Sequence, residues 1–257
     1  MKNEESFWKT SCATMLWVIC LTGVLAPAGQ AQGATDAAKR GAEILSEAAS
    51  AAGGEKVKKL ERLAFTSAGT VHTSMGPTSV EGKVVVAYPD KVRMENTLAL
   101  GTILSGFDGK SAWVSSAQGT FDLPADLSAE LARSIHIIGG FGVYKKSQAG
   151  KVEAEFAGEK EVAGQKTWLV EWNGPTGKVK LYFDTATKLL VAAKYRATTM
   201  QGVFEEERRW SDFREVDGVK FPFHWMTYRD GALFSDQTVT EVKVNGTVDA
   251  GAFAKPQ

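Results

Sequence analysis

Apolar and polar residues alternate with a period of two along most of this chain, most densely over residues 80–114. In 80–88, Val84 and Val86 fall on one face and Val85 on the other. Tyr88-Pro89-Asp90 reads as a turn, because proline fixes φ and pushes the residue before it out of the helical region. Residues 91–95 return as a strand, with Val92 and Met94 opposite Arg93 and Glu95. Residues 98–107 read as a further apolar strand and Asp108-Gly109 as a tight turn, after which 111–115 leads away with Trp113 and Val114. The second half repeats the pattern. Val152, Ala154 and Phe156 alternate with Glu153 and Glu155, while Trp168, Val170 and Trp172 share a face, as do Val179, Leu181 and Phe183. Strands over 189–198, 203–216, 219–228 and 233–244 complete a meander, with turns at 184–187, 217–218 and 229–231.

Helical spacing occurs in three places. Residues 33–52 are alanine-rich, place Ile44, Leu45, Ala48 and Ala52 on one side, and close on Gly53-Gly54. A short turn of helix can follow at 55–63. Residues 125–138 space Leu127, Leu131, Ile135 and Ile138 along one face and end at Gly139-Gly140. The glycines around Phe141 suggest a mobile or tightly turned loop. The expected class is therefore mainly β with two or three helices, in one antiparallel sheet or barrel.

Composition narrows the partners. The 257 residues carry 30 basic and 30 acidic side chains, so nothing electrostatic calls for nucleic acid or an anionic surface. Lys2 and Lys9, the apolar run 13–25 and the small residues of Gly29-Gln30-Ala31 predict a cleaved signal peptide over 1–31, leaving one domain over 32–257. A retained anchor is the alternative, although the run is short for a membrane span. Cys12 and Cys20 both lie in the leader, so the mature chain has no disulfide, thiolate nucleophile or Cys metal site. His72, His136 and His224 stand alone, without metal-ligand spacing. The run Glu205-Glu206-Glu207-Arg208-Arg209 reads as a solvated strand face, and 174–177 as a hairpin loop rather than a phosphate cradle. No motif makes a positive case for catalysis, a metal or a cofactor.

Certain segments resemble a known family. The segment 80–84 leading into Tyr88-Pro89-Asp90-Lys91-Val92-Arg93, then Asp108-Gly109-Lys110 before Trp113, is similar to the periplasmic lipoprotein carrier (LolA-like, outer-membrane lipoprotein-sorting) family. So are Asp217-Gly218-Val219-Lys220-Phe221-Pro222 and the tail 248–253 with Pro256. The resemblance implies an unclosed antiparallel β-barrel wrapped over helices, with an apolar cavity for acyl chains. It also implies a periplasmic location and a non-catalytic carrier or chaperone role in lipoprotein sorting. The implied partners are lipoprotein acyl chains or lipid, with an inner-membrane release complex or an outer-membrane receptor, and the protein is expected to be a monomer. Where the family's carrier has an arginine before the proline, this chain has Tyr88.

The candidate lining of such a cavity is Val84, Val86, Val92, Met94, Leu104, Trp113, Trp168, Val170, Phe183 and Trp225. An ordinary packed core is the competing reading for each of them. Leu127, Leu131, Ile135 and Ile138 are the candidate lid, and Tyr88 and Arg93 the candidate rim. A sensing or protein-binding module of the same fold, with a filled core, is the alternative function. A hydrolase acting on lipid or envelope glycans is the weakest.

Overall fold

The structure is a computed structural model that describes residues 28–249 and 251–256, with side chains from residue 35 onward. Most of the expected leader lies outside the described residues.

Helix α1 (Ala28–Ala51) and a single turn, α2 (Glu55–Lys58), precede six strands. These are β1 (Arg62–Thr73), β2 (Gly76–Ala87), β3 (Lys91–Leu98), β4 (Gly101–Phe107), β5 (Ala112–Ser116) and β6 (Gly119–Asp122). Helix α3 (Ala125–Ile137), a 3₁₀ turn (Ile138–Gly140) and helix α4 (Phe141–Gln148) interrupt them. Seven more strands follow: β7 (Ala154–Val162), β8 (Gln165–Gly174), β9 (Gly177–Asp184), β10 (Leu190–Thr199), β11 (Gly202–Val216), β12 (Val219–Arg229) and β13 (Ala232–Val244). All thirteen form one sheet, ordered β6-β5-β4-β3-β2-β1-β13-β12-β11-β10-β9-β8-β7. The described pairings are antiparallel, and β1–β13 joins the two meanders. The sheet is not closed, so β6 and β7 are its edges, and it wraps over the helices as a half-barrel. The expected class is what the structure contains.

The alternation sets the inner face. Leu63, Val86 and Val92 are mutual neighbours across β1, β2 and β3, as are Phe65, Val84 and Met94. On the other wall Trp172–Val179–Tyr195 and Val170–Leu181–Ala193 form equivalent rows. Helix α1 lays Ile44, Leu45 and Ala48 into this concavity, with Ala52 just past its end, all fully buried. Gly41 allows close packing there: a Cβ at that position would stand 2.6 Å from the Ala154 carbonyl oxygen of β7. Helix α4 fills the centre, with Phe141 stacked on Phe221 at 6.1 Å and Tyr144 beside Phe183. Burial of each such ring contributes about 1.5–3 kcal/mol.

Sequence reading expects a loop where α4 stands. Its eight residues are too few to show a helical period between glycines, and the helix is fixed by the aromatic pocket that Phe141 and Tyr144 enter. The expected strand over 98–107 is divided by a tight turn after Leu98, and the expected break at 119–124 contains β6.

Strand direction gives the half-barrel two ends. The connections 74–75, 99–100, 117–118, 175–176, 200–201 and 230–231 lie at one end, the mouth. The connections 88–90, 108–111, 163–164, 185–189 and 217–218 lie at the other, the base. Helices close the base: the Lys220 amide donates to Ala52 O at 2.9 Å, and Lys145 Nζ donates to Lys58 O at 2.8 Å.

Candidate functional site

Helix α3 crosses the concave face from the β3–β5 wall to β10. It begins after Pro124, whose ring ends the preceding extended segment, and leaves through Gly139 (φ 59°) and Gly140 (φ 76°). Both glycines hold left-handed backbone that a side chain would strain, and this turns the chain sharply into α4.

A polar network joins α3 to the far wall. Arg133 is 2% exposed and donates to Glu130, to the Thr176 hydroxyl and to Arg196 O, while its guanidinium lies 3.9 Å from the centre of the Tyr195 ring. Glu130 also accepts from the Thr198 amide at 3.0 Å. Behind them Glu206, 3% exposed, accepts from the Tyr195 hydroxyl at 2.7 Å, from Arg208 Nε at 3.0 Å and from Arg229 Nε at 3.3 Å. Arg229 also lies 3.5 Å from the centre of the Phe234 ring.

Burial pushes the Arg133 guanidinium down to about 10, against the pull of Tyr195. For Glu206 burial acts upward, but Arg208, the Tyr195 hydroxyl and Arg229 together outweigh it and hold the carboxyl below its usual range. Glu130, Arg133, Glu206, Arg208 and Arg229 of this network themselves line a cavity of about 150 Å³, together with Met94, Leu131, Ile137 and Tyr195 among others. The 205–209 run is thus not a uniformly solvated face. β11 alternates, so Glu206 and Arg208 point inward while Glu205, Glu207 and Arg209 point outward.

The structure separates the predicted lining residues. Val84, Val86, Val92, Val170 and Phe183 are on the inner face and buried in the core, together with partly buried Met94, Trp168 and Trp225. Of these, Met94 reaches the cavity under α3. Trp225 packs edge-on to Phe65 at 5.1 Å, and Trp168 lies beneath Arg40 and Lys188 at 4.7 and 4.0 Å.

Trp113 and Leu104 require correction. Trp113 pairs in register with Gly106, and Gly106 with Arg93; Leu104 pairs with Glu95. Both side chains therefore face outward. Trp113 is buried because the C-terminal segment folds over it, with Nε1 donating to Phe253 O at 3.1 Å. The tight turn after Leu98 fixes this parity.

The rim candidates also lie elsewhere. Arg93 is on the outer face, donates to Ala252 O at 3.1 Å, and lines a second cavity of about 450 Å³ beneath the C-terminal segment. Tyr88 is at the base, its ring 5.9 Å from Lys145 Nζ and its buried hydroxyl unpartnered; burial raises its pKa. Of the lid residues, Leu131 lines the cavity under α3, Leu127 is half-buried, and Ile135 and Ile138 belong to the core.

Among the described residues no group of three or more His, Cys, Asp and Glu could hold a metal ion, and no helix is long and apolar enough to cross a membrane. Ser211 Oγ and His224 Nδ1 lie 3.0 Å apart, and His224 Nε2 and Asp236 Oδ1 2.7 Å apart. This trio is on the outer face, open to solvent, and lines neither cavity.

An open antiparallel half-barrel over central helices defines a class of fold, and solved structures share it. A Vibrio parahaemolyticus domain provisionally assigned to outer membrane lipoprotein sorting superposes with a TM-score of 0.58 at 9% identity, covering 84% of this chain and 97% of that one. A DUF1329 family protein from Desulfovibrio piger gives 0.56 at 10% identity, covering 84% and 97%. A LolA superfamily protein from Nitrosomonas europaea gives 0.53 at 15% identity, covering 81% and 97%. At these identities the likeness is one of fold. No family model matches the sequence, and no curated protein matches it.

Proposed function

We propose that this chain is exported, loses residues 1–31, and serves in the periplasm as a single domain over 32–257. There it holds an acyl chain of a lipoprotein or lipid between α3 and the concave sheet, as a carrier or chaperone without catalysis. The observation that supports this is the placement of α3. It spans both walls over a cavity, is tied to the far wall through Glu130 and Arg133, and is joined to the rest of the core through two glycines with positive φ. Kinship of fold with lipoprotein-sorting structures agrees with it.

A space of about 150 Å³ holds a few water molecules' worth of volume, far less than a long acyl chain. Uptake therefore requires α3 to lift. Transfer of a chain of a dozen methylenes supplies about 10 kcal/mol, which offsets the loss of the α3 contacts. Met94 and Leu131 would meet the ligand first, and Val84, Val86, Val92, Val170, Phe183 and Trp225 would form the floor beneath. An inner-membrane release complex or an outer-membrane receptor would hand the ligand over.

Full burial of Val86, Val92, Val170 and Phe183 favours a second reading, a sensing or protein-binding module with a filled core. Titration of the purified protein with a fluorescent fatty acid, read alongside native mass spectrometry, separates the two. Saturable one-to-one uptake supports the carrier. Protein that is empty on purification and takes up no probe supports the filled module.

A further inference from the structure

The two ends of the half-barrel differ in chemistry. Four of the six hairpins at the mouth carry no charged residue: 73–80, 96–107, 111–121 and 197–204. A fifth, 173–177, is bounded by Lys178, which pairs with Glu171 at 2.6 Å. The sixth, 229–236, has Arg229, Asp230 and Asp236; its arginine turns inward to Glu206 and Asp236 meets His224 on the outer face. Each of the five turns at the base has acidic and basic residues within it or within two residues of it, such as Asp90 and Lys91, Asp108 and Lys110, Asp184 and Lys188.

The uncharged tips present large apolar side chains to solvent. Met75 is 79% exposed, Leu100 83% and Met200 74%. Ile103, Val203 and Leu233 stand just below them, also exposed. With Phe121 of the 111–121 hairpin, all seven large exposed hydrophobic residues described lie within the mouth hairpins, on five of them. Exposed apolar residues gathered in this way mark an interaction surface.

We propose that the mouth of the half-barrel docks on a lipid bilayer, with Met75, Leu100 and Met200 entering the acyl boundary. Two features favour a bilayer over a protein. The apolar side chains are single residues on separate tips, flanked by Ser, Thr, Gln and Gly rather than merged into one packed patch, which suits insertion into the interfacial layer. Four of the six hairpins lack the arginines and carboxylates that give a protein interface its register, and in the other two Lys178 pairs with Glu171, Arg229 with Glu206 and Asp230 with the Glu205 amide, which limits the charge to be desolvated on entering lipid. The inference rests on the acyl-carrier reading in one respect: the docked end is the end at which α3 meets the wall through Thr176 and Thr198, so a chain leaving the bilayer would arrive at the α3 cavity.

The test is co-sedimentation of the protein with phosphatidylcholine vesicles, compared with the same vesicles doped with phosphatidylglycerol, at low and high salt. The protein is expected to bind both, with little loss on adding salt, because the contact is apolar. The triple variant Met75→Ser, Leu100→Ser, Met200→Ser is expected to bind phosphatidylcholine about tenfold more weakly or worse. It is expected to keep the wild-type unfolding midpoint, since all three side chains are in solvent. It is also expected to keep uptake of a fluorescent fatty acid in vesicle-free solution, so membrane docking and interior binding are read separately. No binding to phosphatidylcholine by the wild type, equal binding by the variant, or binding abolished by salt would each overturn the proposal. So would a wild-type dimer in analytical ultracentrifugation that the triple variant dissolves, because the tips would then meet a second copy.

Discussion

At the base of the half-barrel Phe221 meets Phe65, Phe141 and Phe223 at ring separations of 5.2, 6.1 and 6.3 Å, with no exposure at all. At the mouth, the corresponding space between α3 and the sheet holds arginines, carboxylates and a tyrosine around a small cavity. The strand meander is the same at both ends, and what fills it differs. Apolar packing is dense and non-directional, so the base helices are held by many small contacts. A buried ionic network contributes little net stability, yet it has one preferred arrangement that releases when a partner leaves. The difference suggests a fixed base and a separable cover.

The largest effect should come from the base. Phe221→Ala should cost about 3–5 kcal/mol in urea unfolding, by lost transfer and an unfilled cavity. A cost under about 1 kcal/mol would mean that the base is not the tightly packed end. Glu206→Gln should cost about 3 kcal/mol, because Arg208 and Arg229 keep their burial but lose a counter-charge. Adding Arg208→Met should restore part of that loss; additive losses would show that the network is not coupled.

His136 sharpens the comparison through pH. It is 6% exposed at the end of α3, its Nδ1 has no partner, and its ring meets Trp172 edge-on at 5.7 Å. Burial, and then the charge of Lys146, lower its pKa to about 4. The unfolded chain binds that proton more readily, so stability is complete above about pH 6.5 and falls as pH drops toward about 4. The loss is about 3 kcal/mol over that window. Unfolding midpoints measured across it should show the slope in the wild type and a flatter curve in His136→Phe. In Glu130→Gln the Thr198 amide keeps a neutral acceptor, but buried Arg133 loses its counter-charge, so this change should also cost about 3 kcal/mol. The same change should speed uptake of a fluorescent fatty acid in stopped flow. Unchanged uptake would detach Glu130 from control of α3.

Much of the base was readable from sequence. Val84, Val86 and Val92 alternate cleanly, and Ile44, Leu45, Ala48 and Ala52 keep helical spacing, so their burial follows from periodicity alone. The site near the mouth was hidden for physical reasons. Glu206 sits in a run of five charged residues, and only the register against β10 and β12 shows that every second one turns inward. Its partners Tyr195 and Arg229 come from other strands, 11 and 23 residues away. A signal for Leu104 and Trp113 did exist. A tight turn at Ala99-Leu100 pairs Leu98 with Gly101, and counting from there puts Leu104 across from Glu95, on the outer face. The covering of Trp113 by residue 253 follows from the C-terminal fold alone.

The claim that α3 is a cover is tested most directly by a distance. Spin labels at Asp126→Cys on α3 and Gln201→Cys on the β10–β11 tip, in a chain beginning at Gln32 and so free of other cysteines, report the separation of helix and mouth. Pulsed electron–electron resonance should show one short distance in the protein alone and a second, longer one that grows with added fatty acid until it saturates at one equivalent. A single distance that saturating fatty acid leaves unchanged would contradict the account.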